Sequence, residues 1–189
     1  MKPKRGQPET PNEVQGRDQF QTPCYATELI LPFIPANCIH IWECCAGEGR
    51  MADVLCDHMD GLWRQNSIVD WNVERMKVNM LEYEPRQWDC AITNPPFSIK
   101  KKVFRRLIDL NKPFALLIPG DWSQWVITAI RDYDCRIVLP TRRVNYITPS
   151  GKSGKESAAQ FHSIWLTRWF NVPQVVHVVE LTKEMMSNI

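Results

Sequence analysis

The chain contains no apolar run approaching the roughly 18 residues of a membrane-crossing helix, and its first 17 residues carry charge and proline without any hydrophobic segment. That pattern argues against a membrane span and a signal peptide. Residues 1 to 17 are expected to form a flexible polar tail on a cytoplasmic protein. Seven cysteines are present, but no Cys-x-x-Cys pair and no histidine at metal-ligand spacing. Adjacent Cys44 and Cys45 do not suit one tetrahedral site, so no metal is expected and the thiols read as reduced and internal. A net charge of +2 is too small to point to nucleic acid by itself. What the chain does have is 189 residues with 44% apolar content, enough for one well-buried core and a single domain over 18–189.

The most informative stretch is Asn94-Pro95-Pro96-Phe97, which follows an apolar run, Cys90-Ala91-Ile92-Thr93, that reads as a buried strand. Neither proline has an N–H, and each holds the preceding residue in extended geometry, so acceptors at the strand's end are fixed in space. The Asn94 side-chain oxygen and the Pro95 carbonyl can each accept one hydrogen of a planar NH2 group. Phe97 offers a ring face to a flat base.

Upstream, the strand Ile39-His40-Ile41-Trp42 runs into Glu43-Cys44-Cys45-Ala46-Gly47-Glu48-Gly49 and then into a helical pattern. Glycines there allow a ligand close to the backbone, and the helix start presents free N–H groups, which suits a nucleotide-like cofactor. A second strand, Ser67-Ile68-Val69, ends in Asp70, 21 residues beyond Gly49. That is close to the spacing of about 20 for a ribose-binding carboxylate. Gly47-x-Gly49-x-x-Ala52 also fits the dinucleotide fingerprint, so these residues alone leave the cofactor open.

Taken together, the segments resemble the class I S-adenosylmethionine-dependent amino-methyltransferases, DNA adenine-N6 type, whose motif IV reads [DNS]-P-P-[YFW]. The resemblance implies that Asn94, Pro95, Pro96 and Phe97 form the catalytic motif, with Asn94 also touching the cofactor. Motif I is similar to Glu43 through Gly49, which implies that Glu43 faces the cofactor's methionine amino group and that Ala46, Gly47 and Gly49 line it. Asp70 is then expected to hold the ribose, and Trp71 to cover the adenine. Val78-Asn79-Met80-Leu81 resembles motif III, with Asn79 where an Asp is usual; an amide can still accept from the adenine amino group. Asp18 through Ala26 resembles motif X of the variant in which this segment precedes motif I. It implies that the Thr22-Pro23 turn caps a helix from Tyr25 to Leu31 and closes over the methionine end. The compact layout, with no separate target-recognition domain, resembles phage-encoded relatives.

Alternating strand and helix signals predict an α/β layer fold. Parallel strands are expected near 38–42, 66–70, 78–81, 89–93 and 114–118, with helices near 25–31, 50–59, 71–77 and 99–110. Strands near 135–139 and 161–168 have no helix-length segment between them and should pair as an antiparallel hairpin. The resemblance implies a Rossmann-like seven-stranded sheet in the order 3-2-1-4-5-7-6, flanked by helices, with the last strand antiparallel.

Two basic places bear on the substrate. Lys100, Lys101, Lys102, Arg105 and Arg106 lie on the helix after Phe97 and read as a solvated face. Arg142, Arg143, Lys152 and Lys155 surround Tyr146 in the long connection between the last two expected strands, combining phosphate-seeking charge with an aromatic platform. Trp122, after the fifth strand, is a further candidate for base stacking, with a core position as the alternative. The expected activity is direct methyl transfer to N6 of adenine in DNA. RNA adenine, a protein glutamine, and a non-catalytic cofactor-binding nucleic-acid module are the competing readings.

Overall fold

The computed structural model describes residues 18, 20–61, 68–71, 79–148, 151 and 161–187, with 60, 61 and 68–71 described in backbone alone. Seven strands form one sheet: β1 (Ile41–Glu43), β2 (Ile68–Trp71), β3 (Cys90–Thr93), β4 (Phe114–Pro119), β5 (Cys135–Pro140), β6 (Ser163–Arg168) and β7 (Val176–Val179). Their order is β2-β1-β3-β4-β6-β5-β7. β1, β2, β3 and β4 run parallel; β6 is antiparallel to both β4 and β5, and β7 lies parallel to β5.

Both faces of the sheet are covered, so its strands read as continuous apolar runs rather than alternating ones; all six residues of β4 are buried. Successive side chains still part to opposite sides. Ile41, Ile92 and Leu117 join the core with Tyr25, Ile30, Met51 and Leu55, contributed by α1 (Cys24–Glu28), the turn after it and α2 (Arg50–Gly61). Trp42, Ala91 and Leu116 face Val103, Phe104 and Leu107 of α3 (Lys100–Leu110) and Val126 and Ala129 of α4 (Gln124–Tyr133). In α3 the buried residues recur at helical spacing while Lys101, Lys102 and Arg105 are exposed, so this helix is amphipathic. Asn111 and Asp134 end α3 and α4 in the left-handed region, at φ +53° each, a conformation that these two residue types tolerate.

Six of the seven expected strands are present, and the antiparallel pairing of β5 with β6 is as expected. The full order 3-2-1-4-5-7-6 is not reproduced: six strands stand in the relative order 2-1-4-5-7-6, and the outer strand expected near 78–81 is missing. No strand occupies 79–81, because Asn79 builds a turn of its own: its Oδ1 accepts from Leu81 N at 3.1 Å, and its carbonyl accepts from Glu82 N and Tyr83 N. The seventh strand is instead β7, at the opposite edge, where a run of β-branched residues extends the sheet. The last of the expected strands, β6, is antiparallel to both neighbours as expected, and the additional β7 lies parallel to β5. The expected helix over 25–31 is shorter, α1 being followed by a 3-10 turn at Leu31–Phe33. α4 was not expected. The helix expected at 71–77 lies outside the described residues apart from Trp71, which belongs to β2, and residues 1–17 lie outside them as well.

Candidate functional site

A cavity of about 620 Å3 lies at the carboxyl edge of β1 and β3, and its wall includes Glu43, Gly47, Met80, Asn94, Phe97 and Tyr146. This is the edge at which open α/β sheets hold their ligands.

β1 ends in Glu43, which is 1% exposed. Thr93 Oγ1 donates to its Oε1 at 2.5 Å and Cys45 N donates to the same oxygen at 3.1 Å. Oε2 has no partner among the described residues. Burial pushes the Glu43 carboxyl up from 4.5 to about 7, the two hydrogen bonds opposing that rise without cancelling it. A buried acid in this state favours a cationic ligand, whose charge would offset the desolvation of the carboxylate.

After β1 the backbone turns at Ala46 to Gly49, where Gly49 N donates to the Ala46 carbonyl at 2.8 Å, and Gly49's own carbonyl accepts from Asp53 N at the start of α2. Gly47 stands at φ +55° and Gly49 at φ +92°, which other residues adopt only under strain. A Cβ on Gly47 would meet Gln21 Oε1 at 2.7 Å. That same oxygen accepts from Glu48 N at 3.2 Å, so the glycine turn is closed from outside by residue 21.

β3 ends in Thr93, and the chain continues through Asn94-Pro95-Pro96-Phe97. Asn94 Nδ2 donates to Thr22 Oγ1 at 3.0 Å, while Asn94 Oδ1 is buried and has no hydrogen-bond partner. The Pro96 carbonyl accepts from Ile99 N at 3.1 Å, and the Pro95 carbonyl takes no backbone hydrogen bond among the described residues. Two acceptors therefore remain at this corner. Phe97 is half-buried and meets Phe161 and Tyr146 edge to face, with ring centroids 5.3 and 6.1 Å apart.

Asp18 and residues 20–22 lie over this corner. Ser98 Oγ donates to Asp18 Oδ2 at 2.5 Å, and Gln21 and Ile147 exchange two backbone hydrogen bonds at 2.9 and 3.0 Å. Thr22 does not cap α1. The residue before that helix is Pro23, without a side-chain cap bond, and the Thr22 hydroxyl is engaged by Asn94 instead.

The structure brings Thr22, Glu43, Ala46, Gly47, Asn79, Met80, Asn94, Pro95, Pro96 and Phe97 to one cavity, with Pro23 and Gly49 beside it. Asn79 is exposed and its side chain is spent within its own turn. Asp70 and Trp71 are placed by backbone only, opposite Trp42 and Glu43, and their side chains lie outside what is described. Tyr146 is not an open platform: it is 3% exposed, and its hydroxyl shares a hydrogen bond with Ser163 Oγ at 2.9 Å. Buried behind Phe97, it reaches the cavity from within. Arg142 and Arg143 are exposed, Trp122 is an exposed residue rather than a core one, and Lys152 and Lys155 lie outside the described residues.

Four contributors were not singled out from sequence: Asp18 and Gln21 as closing residues, Thr93 as the donor to Glu43, and Phe161 against Phe97. Asp18 and Gln21 stood within the motif X stretch, but nothing in their spacing shows what they meet.

No family model and no curated protein matches the chain. Among solved structures it is similar to a type I restriction-modification system methyltransferase subunit from Streptococcus thermophilus, with a TM-score of 0.55 and 12% identity over 88% of this chain and 48% of that one. The chain thus spans about half the length of that subunit. A protein from Pyrococcus horikoshii provisionally assigned as an RNA methyltransferase gives a TM-score of 0.47 and 12% identity, over 86% and 89% of the two chains. A dimethyladenosine transferase from Plasmodium falciparum gives 0.39 and 12%, over 84% and 61%. At 0.55 and 12% identity the likeness to the first is one of fold alone.

Proposed function

We propose that the protein is an S-adenosylmethionine-dependent methyltransferase acting on an exocyclic amino group, with N6 of adenine in DNA as the substrate. The observation that carries this reading is the buried, unpartnered Asn94 Oδ1, held in place through Nδ2 by Thr22. A buried carbonyl oxygen with no donor is costly unless a ligand supplies one, and an amino group is a donor.

The cavity residues fit the cofactor. Its volume falls in the range of about 300–1,000 Å3 usual for small-molecule sites. Gly47 and Gly49 leave the turn free of side chains, and Glu43 Oε2 is positioned for an ammonium group. Bound there, S-adenosylmethionine supplies an electrophilic methyl on a sulfonium. The protein's part is orientation and electrostatics. Asn94 Oδ1 and the Pro95 carbonyl accept the two amine hydrogens, drawing the nitrogen lone pair out of conjugation with the ring, and they stabilise positive charge as it develops. Phe97 supports the flat base. In a duplex the base must first leave the stack. Arg142 and Arg143 are exposed at the same edge of the sheet, which supports a role in neutralising phosphates.

Incubation with methyl-labelled S-adenosylmethionine and, separately, DNA, RNA and a glutamine peptide, followed by nucleoside and amino-acid analysis, tests this. Label in N6-methyladenine from DNA, absent with Asn94→Ala, is the expected result. Label in RNA alone or in glutamine alone moves the substrate to that class. No label in any of them, with cofactor binding intact, refutes catalysis.

A further inference from the structure

Trp122 combines strain with exposure. Its φ is +44°, a region costly for a residue with a large side chain, and the residue is 50% exposed, so core packing does not compensate the strain. Trp42, Trp88 and Trp165 are by contrast buried. Trp169 is also exposed and left-handed, but the Arg168 guanidinium covers its ring at 3.9 Å from the centroid. No aromatic or cationic group covers Trp122 among the described residues.

The turn that carries Trp122 is fixed on three sides. Gly120 N donates to the His162 carbonyl at 2.7 Å, and a Cβ on Gly120 would meet Ile164 Cγ2 at 2.9 Å, so the strand end is packed tight. Asp121 Oδ1 accepts from Ser123 N and Oγ at 3.2 and 2.7 Å, and Asp121 Oδ2 lies 3.9 Å from Lys100 Nζ. These ties lead to the proposed active corner by two routes. Lys100 begins α3, directly after the Asn94 to Phe97 turn, and His162 follows Phe161, which packs on Phe97. Trp122 stands outside the cavity wall, three residues after β4, on the edge where Asn94 follows β3. Lys101, Lys102, Arg142 and Arg143 are exposed along that same edge.

We infer that Trp122 is a stacking residue for a nucleobase adjacent to the one held in the cavity, in a single strand or in a duplex opened at the target. The inference rests on the nucleic-acid reading proposed above and adds a residue to it. An uncovered indole on a tied turn, on an edge that also carries exposed cations, has the two elements that bind unpaired nucleic acid, a stacking face and phosphate-neutralising charge. The ties at Gly120 and Asp121 hold the backbone of the turn before binding, which reduces the conformational freedom lost on contact.

The test is fluorescence-polarisation binding of labelled single-stranded DNA and RNA over a salt series, with wild type, Trp122→Gly and Trp122→Phe, alongside thermal melts and S-adenosylmethionine calorimetry. Trp122→Gly should weaken binding about five- to a hundredfold at every salt concentration, as removal of one stacking aromatic does elsewhere. Trp122→Phe should recover most of that loss, and DNA and RNA arms show which strand is preferred. Cofactor affinity should not change. The glycine variant should melt at or above the wild-type temperature, since glycine adopts φ +44° freely. A melting temperature several degrees lower would make the ring part of the packing and overturn the inference. So would unchanged affinity in Trp122→Gly while wild type binds and methylates nucleic acid, which leaves the proposed function standing. A wild type that binds neither DNA nor RNA, and methylates only the glutamine peptide, overturns both.

Discussion

Replacing Glu43 by glutamine should make the protein more stable at neutral pH. The carboxyl is buried, and its acid constant moves from 4.5 to about 7 in the folded state. At about 1.4 kcal/mol for each tenfold change in an acid constant, that displacement corresponds to about 3 kcal/mol. Below pH 4.5 Glu43 is protonated in both states and contributes no pH dependence. Between 4.5 and about 7 the unfolded chain has released the proton and the folded one retains it, so stability falls as pH rises, by up to about 1.4 kcal/mol per unit. Above 7 both states are ionised and the full cost of about 3 kcal/mol persists. Glutamine keeps an oxygen that can accept from Cys45 N and Thr93 Oγ1 but carries no charge to desolvate. Urea denaturation of wild type and Glu43→Gln from pH 4.5 to 8.5 measures the effect, other titrating groups cancelling in the difference. The variant should gain on wild type up to about pH 7 and hold a constant advantage beyond it. A difference that is flat with pH, or that grows in favour of wild type, would show that the carboxylate is already compensated in the folded protein and would refute the reasoning. The same logic fixes the ligand's behaviour: an ammonium beside Glu43 favours the ionised acid, so wild-type affinity for S-adenosylmethionine should rise with pH toward 7, and Glu43→Gln should lose that rise together with most of the affinity.

Asn94→Ala should leave cofactor affinity in calorimetry within about threefold and lower turnover by on the order of a hundredfold or more, as loss of one preorganised polar contact does in other active sites; full activity would reduce Asn94-Pro95-Pro96-Phe97 to a strand terminus. Gly47→Ala should lower stability by about 1–2 kcal/mol in urea titration, through the left-handed backbone at φ +55° and displacement of Gln21 from Glu48 N, with an unchanged denaturant slope; a neutral effect would mean that the turn relaxes. Arg142→Ala combined with Arg143→Ala should flatten the dependence of nucleic-acid affinity on salt by about one unit per lost phosphate contact, read from a filter-binding series; an unchanged slope would place the phosphates elsewhere.

Much of the parallel half of the fold is legible in sequence because its signals are local. Cys90 to Thr93 and Phe114 to Pro119 are short apolar runs cut off by proline or glycine, too short for a helix and therefore legible as strands buried on both faces. Asn79 shows where local signals mislead: the apolar neighbours suggest a strand, but the side chain captures its own backbone before a ladder can form. α4 is not legible in sequence because Val126, Ile127, Thr128 and Ile130 are β-branched, poor helix formers whose helical face is decided by packing of Val126 and Ala129 on the sheet. At the site, the residues that line the cavity from β1 and β3 stood in recognisable order. Their partners did not. The Thr22 hydroxyl looks like a helix cap in sequence and is instead the anchor of Asn94, a contact across 72 residues that no local pattern encodes.

The segment around residues 18 to 26 has a further consequence, in the order in which the molecule can be built. It is made before the residues that hold it: Asp18 is held by Ser98, 80 residues on, Tyr25 by Asn145, 120 residues on, and Ala26 by Trp165, 139 residues on. Contacts of such separation are closed late, since the entropy of joining distant chain segments must be met before they give any return. A nascent chain that already displays Asn94 and the glycine turn therefore still lacks the covering that completes the cavity. Ligand binding at this site is in effect a report that β5 and β6 have docked, and a ligand present during refolding should favour the finished molecule over partly assembled forms.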